Sequence, residues 1–197
     1  MVVEASGIYS VDLSLALDSA AGIEVMVANP RALKDYRRAT MERSKTDKVD
    51  AGVICDYAYR MPFRAWQRPS GDVVELRQIA RRIQALIVER AREKNRLSTA
   101  LSTTSSSAIV INDIEVNIRH LDGRIAELEK QAMRVVDVSD SIGQAYDRIV
   151  TVRGISKRSA IQLLGEILVM PKNLSVREWV AFAGLDVRRY ESSRDRV

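Results

Sequence analysis

The chain has almost none of the residues that staple small proteins or bind soft metals. Its single cysteine, Cys55, excludes an intramolecular disulfide framework and fits a reducing, intracellular compartment. Its single histidine, His120, has no ligand partner at metal-binding spacing and reads as an exposed helix residue. No histidine lies near Ser192 or Ser193, so a Ser-His-Asp hydrolase finds no support. Neither G-x-x-x-x-G-K-[ST] nor G-x-G-x-x-G occurs, which removes the common phosphate-cradling loops. No apolar run approaches the roughly 20 residues of a membrane span. The N-terminus, MVVEASGIY, lacks a basic region followed by a long apolar stretch, so it reads as a strand that begins at once and not as a signal peptide. Lysine and arginine are missing from residues 1–30, which hold Glu4, Asp12, Asp18 and Glu24.

Much else is present. A hydrophobic share of 46% over 197 residues is enough for real cores. The 31 basic residues outnumber 26 acidic ones, a net charge of +5. That balance suits a polyanionic partner, although many proteins without one carry as much. The basic residues crowd between Arg31 and Arg96, directly after the acidic opening.

Apolar runs and breakers set an order of elements. Val2–Val3 predicts a short buried strand, and Val11, Leu13, Leu15, Ala16 and Leu17 predict a helix packed on a sheet. Gly22 ends that helix. Residues 24–28 predict a second strand, stopped by Asn29-Pro30, and two helices follow over 31–40 and 45–60. Strand, helix, strand, helix implies an α/β layer with a parallel sheet over residues 1–61. Residues 62–71 read as a linker with exposed Phe63 and Trp66. A long helix follows from residue 72, its apolar stripe Leu76, Ile79, Ile83 and Leu86 flanked by arginines. Those arginines suit either a solvated face or a nucleic-acid face. Ile111, Ile114, Ile118, Leu121, Ile125, Leu128, Ala132 and Val135 recur at three and four, a heptad seam. With the Ser/Thr-rich stretch 99–107 as a turn, residues 72–138 predict an antiparallel helical arm. Residues 139–197 predict a small helical domain.

Two constellations carry chemistry. Asp47 and Asp50 are three apart, which puts both carboxylates on one helix face. Such a pair either binds a hard cation such as Mg²⁺ or Mn²⁺, with Glu4 as a third oxygen donor, or serves as helix-terminal and surface charge. The segment GISKRSA resembles a helix-hairpin-helix turn: Gly154 allows tight backbone geometry, and Ser156 can cap the next helix. The exposed N–H groups there can take a phosphate, with Arg153, Lys157 and Arg158 around it. An ordinary helix–turn–helix connection is the competing reading.

Taken in order, VVEASGIY, VMVANP and SKTDKVDA resemble the N-terminal domain of bacterial insertion-sequence transposases of the DEDD type, whose pattern runs E-x-T-G-x-Y, V-x-x-x-N-P, K-T-D-x-x-D-A. VRGISKRSAIQLLGEI through FAGLDVRRYESS resembles the second domain of the same family. The resemblance implies a partial ribonuclease-H-like (RuvC-like) layer, the helical arm, and a partial C-terminal transposase domain. It implies Glu4, Asp47 and Asp50 as three members of a four-carboxylate set holding Mg²⁺ or Mn²⁺. It implies Ser192 as the nucleophile, with Ser193 standing where the family has glycine and so sharing the assignment. Lys45, Lys48, Arg153, Lys157 and Arg158 are then expected to contact nucleic acid. DNA, a guide RNA and a second copy joined through the arm are the expected partners, in the cytoplasm and away from membranes. The family's first Asp stands in an earlier G-x-D-x-x-K strand that this sequence does not contain, so the chain is expected to be an internal fragment incomplete for transposition. A junction-resolving metal nuclease that attacks with water and a non-catalytic DNA- or RNA-binding fragment are the alternatives.

Overall fold

The computed structural model describes residues 1–5, 8–42, 44, 46–171 and 174–185. They form two compact units: Met1–Arg68 with the described part of Pro171–Val197, and Pro69–Met170. The architecture is α/β plus α.

The first unit opens as a strand–helix–strand crossover. Strands β1 (Val2–Glu4) and β2 (Met26–Ala28) pair in parallel, with Val2 beside Met26 and Glu4 beside Ala28. Helix α1 (Ile8–Asp18) connects them. Its buried side is unlike the expected one. Ser10 and Ser14 are buried, and Leu13 is 51% exposed. Serine is small enough to let a helix approach a strand closely. The Ser14 hydroxyl stays satisfied by donating to the Ser10 carbonyl at 2.7 Å, so its burial costs little.

Helix α2 (Pro30–Ala39) starts where Asn29 caps it, the Asn29 Oδ1 accepting from Arg31 N at 2.8 Å, with Pro30 in the first turn. Helix α3 (Asp47–Arg60) is capped by Thr46. Met26, Ala28, Leu33 and Tyr57 form the shared core, with Val2, Tyr36 and Ile54 against it. Residues 62–70 have no regular structure, as expected of a linker, yet Trp66 is half-buried and its N–H donates to Val25 O at 2.7 Å. A short helix, α8 (Val176–Phe182), begins with a capping box of Ser175 and Glu178, and Glu178 also pairs with Arg64 at 3.5 Å.

The second unit is all helical. Helices α4 (Gly71–Ser102) and α5 (Ala108–Val138) form the expected hairpin, closed by a five-residue loop. Ile83 and Leu86 meet Leu121 and Ile125 along its middle. Toward the base the buried position moves from the expected Val135 to Val136, because Ala132 and Val136 turn toward two further helices. Those are α6 (Asp140–Val150) and α7 (Lys157–Ile167). Leu76, Ala80, Ile142, Ala160, Ile161 and Leu164 complete that core. No helix among the described residues is long and apolar enough to cross a membrane.

Candidate active site

Parallel pairing places Glu4 on the same sheet face as its neighbour Ala28, and Ala28 belongs to the core under α2 and α3. Glu4 therefore faces the side that α3 covers. Asp47 is the first residue of α3, and Asp50 ends its first turn. Thr46 fixes that start: its Oγ1 accepts from Val49 N at 3.3 Å. Two carboxylates in a first turn also complement the helix dipole. Asp47 is exposed, Asp50 half-buried. Helix α3 packs against β1, with Ile54 and Tyr57 in the core beside Val2 and Met26.

Hard carboxylate oxygens have the right chemistry for a divalent ion. Their placement here does not. Among the described residues no three His, Cys, Asp or Glu side chains are gathered closely enough to hold a metal ion. Asp50 already has a cation, since Arg37 Nη1 donates to its Oδ1 at 2.7 Å. As they stand, Glu4, Asp47 and Asp50 do not fit a metal ion.

Arg37 is the residue that sequence reasoning missed. It lies in the last turn of α2, and its Nη2 also donates to the carbonyl of Ser44. A guanidinium 13 positions before a carboxylate has no periodic relation to it. Only the antiparallel-like return of α3 onto α2 makes the pair. A second network lies further along the same two helices. Tyr36 OH donates to Asp56 Oδ2 at 2.5 Å, and Arg60 Nε donates to Oδ1 at 2.7 Å. The hydrogen bonds from Arg60 and Tyr36 hold the Asp56 carboxyl below its usual range.

Lys48 is exposed beside Asp47; Lys45, Ser192 and Ser193 lie outside the described residues. The turn between α6 and α7 has the expected backbone: Gly154 has φ 95°, and Ser156 caps α7 by accepting from Ser159 N at 3.1 Å. Arg153 and Lys157 are exposed there. Arg158 is committed elsewhere, donating to Glu129. The arginines of α4 are largely neutralised as well. Arg81 and Arg77 bind Glu166, at 2.6 Å and 3.3 Å, and Arg90 binds Asp122 at 2.6 Å. Arg96 pairs with Glu93. Burial alone would raise the Glu166 carboxyl, but the hydrogen bond from Arg81 and the nearby Arg77 charge hold it below its usual range. Each of these four has a carboxylate partner, Arg81 and Arg96 while still exposed, and Arg82, Arg92 and Lys94 are exposed as well.

Residues 1–106 match the IS110-type DEDD transposase family, described simply as transposase, over more than half of the chain. The chain belongs to that family. It is also 25% identical over 170 residues to the pilin gene-inverting proteins of Moraxella bovis and Moraxella lacunata, covering 86% of this chain and 51% of each of those proteins. The chain spans about half the length of these curated relatives. The family match runs from β1 through the loop of the hairpin, so it takes in Glu4, Asp47 and Asp50 together. A divalent-ion requirement goes with that family in general.

Proposed function

We propose that this chain is a portion of a DNA transposase or site-specific recombinase that cuts and rejoins strands at the ends of a mobile segment. The observation that carries the reading is the family match over residues 1–106, which takes in Glu4, Asp47 and Asp50. The gene-inverting proteins of Moraxella support rearrangement of a DNA segment as the outcome. Glu4, Asp47 and Asp50 are the acidic residues we assign to the site, with Mg²⁺ or Mn²⁺ as the required ion. We assign the nucleophile to Ser192, or to Ser193 beside it. The serine Oγ–P bond forms as the bond from phosphorus to the departing strand breaks, and that strand's oxygen takes up a proton. The phosphodiester is conserved in the protein–DNA link and can be passed to a new strand. DNA is the substrate, a structured guide RNA and a second copy of the chain are the proposed partners, and the exposed Lys48, Arg153 and Lys157 are the groups we assign to phosphate contact.

The test is incubation with labelled DNA carrying candidate element ends, with Mg²⁺ or Mn²⁺, for this chain and for one extended upstream and downstream. A covalent protein–DNA adduct lost in Ser192→Ala or Ser193→Ala supports the proposal. Cleavage without any adduct points instead to a nuclease that attacks with water. Salt-sensitive binding with no cleavage under either metal would reduce the chain to a binding fragment.

A further inference from the structure

Helix α2 carries Arg31, Lys34 and Arg38 on one exposed face, opposite the buried Leu33. At 3.6 residues per turn the three fall within an arc of about 60° and spread over about 10 Å of helix axis. Helix electrostatics do not account for them. Arg31 stands in the first turn, where the helix dipole disfavours a cation and where α2 has no acidic residue. Lys34 lies three positions from Arg31 and four from Arg38, spacings at which like charges repel. Asp35 is the only carboxylate of α2. It lies 3.9 Å from Arg31 and 3.7 Å from Arg38, beyond hydrogen-bond distance. The side chains of Arg31 and Arg38 stay 65% and 71% exposed, and no carboxylate among the described residues pairs with Lys34. Arg37 and Arg60, on the same two packed helices, instead hold their carboxylates at 2.7 Å.

We infer that this face of α2 is a contact surface for the sugar–phosphate backbone of DNA. One strand of a duplex presents a phosphate about every 3.4 Å along the axis, so about three phosphates span the stripe, one for each cation. Long, exposed and weakly held side chains can meet them without breaking a hydrogen bond of the fold. The stripe ends in the last turn of α2, where Arg37 ties the helix to Asp50 in the first turn of α3. A strand that tracks α2 is therefore led toward the acidic residues at the start of α3. Contacts of this kind set register and orientation and carry no sequence information. The inference rests on the reading of the chain as a protein that cuts DNA at those residues, and it adds a surface that positions the strand.

The experiment is binding of the full chain to a fluorescently labelled DNA duplex of arbitrary sequence and to an RNA hairpin, read by anisotropy over a salt series. Arg31→Gln, Lys34→Gln and Arg38→Gln should each lower the slope of log K against log salt for the duplex by about 1, and the triple variant by about 3. Asp35→Asn should tighten duplex binding about three-fold, the scale of an exposed ion pair, with every cation still in place. A triple variant that unfolds at the wild-type temperature and keeps the wild-type slope overturns the inference. If Arg153→Ala and Lys157→Ala still lower the slope in that case, the reading of the chain as a DNA-handling protein stands. A loss confined to the RNA hairpin also overturns the inference. No salt-sensitive duplex binding by the wild type overturns both. If the triple variant does not fold, Asp35→Asn decides alone, and unchanged or weaker binding overturns the inference.

Discussion

Gly165 of α7 faces Ala80 of α4 so closely that a β-carbon at 165 would stand 2.9 Å from the Ala80 Cβ and 3.3 Å from the Arg77 Cα. Real β-carbons do not approach that near, so the crossing of these helices depends on the missing side chain. On an open helix face Gly→Ala gains about 1 kcal/mol. Here Gly165→Ala should instead destabilise the helical unit by about 1–3 kcal/mol through overpacking. Thermal unfolding of Gly165→Ala, Ala80→Gly and the double variant checks this. The double variant should recover a large part of the loss, because the methyl has moved from one side of the contact to the other. Additive losses would mean that the two positions do not meet.

Glu166 beside Gly165 should make the same unit sensitive to acid. Its folded carboxyl titrates below the ordinary value of 4.5 because Arg81 and Arg77 stabilise the charged form against burial. Such a group stabilises the fold above its ordinary value, and that stability is lost as pH falls through the lowered one. Glu166→Gln should cost about 0.5–1 kcal/mol near neutrality, the modest value of a network open to solvent. It should also flatten the decline in unfolding temperature below about pH 4.5. An equally steep acid decline in the variant would assign that sensitivity to other carboxylates.

Thr46 should matter to the candidate site although it bears no charge. Thr46→Ala removes the acceptor that holds the first turn of α3 and should cost about 0.5–1 kcal/mol. Thr46→Ser should restore it. Amide exchange at Val49 and Asp50, measured by NMR, should accelerate in the alanine variant alone.

The turn between α6 and α7 gives a contrast between neighbours. Arg153→Ala and Lys157→Ala should each lower the slope of log K against log salt for DNA binding by about 1, with little effect on stability. Arg158→Ala should act the other way, because its partner is Glu129. It should lower the unfolding temperature and leave the salt slope unchanged. A salt slope that falls only in Arg158→Ala would contradict the ion pair.

The sequence makes the order of elements readable because apolar runs and breakers are local signals. Asn29-Pro30 stops a strand and starts a helix with the same two residues, and the heptad seam follows from spacing alone. Capping by Ser156 is legible for the same reason. The face of α1 is not, since a small buried serine pair outcompetes leucine only where a strand comes close. Nor are the partners of Arg37, Arg77, Arg81 and Arg158, whose carboxylates lie 13 to 89 positions away. Charge composition leaves either a solvated or a nucleic-acid face open for α4, and the fold pairs three of its arginines, Arg77, Arg81 and Arg90, with carboxylates of other helices. The acidic motif is legible as a pattern, and the cation already on Asp50 is visible only in the fold.

The helical hairpin has one more consequence. Its base is set by a core that includes α6 and α7, while its middle is held by Ile83, Leu86, Leu121 and Ile125, and its loop closes on its own ends through Thr103 N to Ala100 O and Ser106 N to Thr103 O. The base and the tip are therefore mechanically separate. Adding or deleting one matched heptad in each helix would change the reach by about 10 Å at 1.5 Å per residue while leaving the base core untouched. The length of the arm can therefore change without redesign of either end.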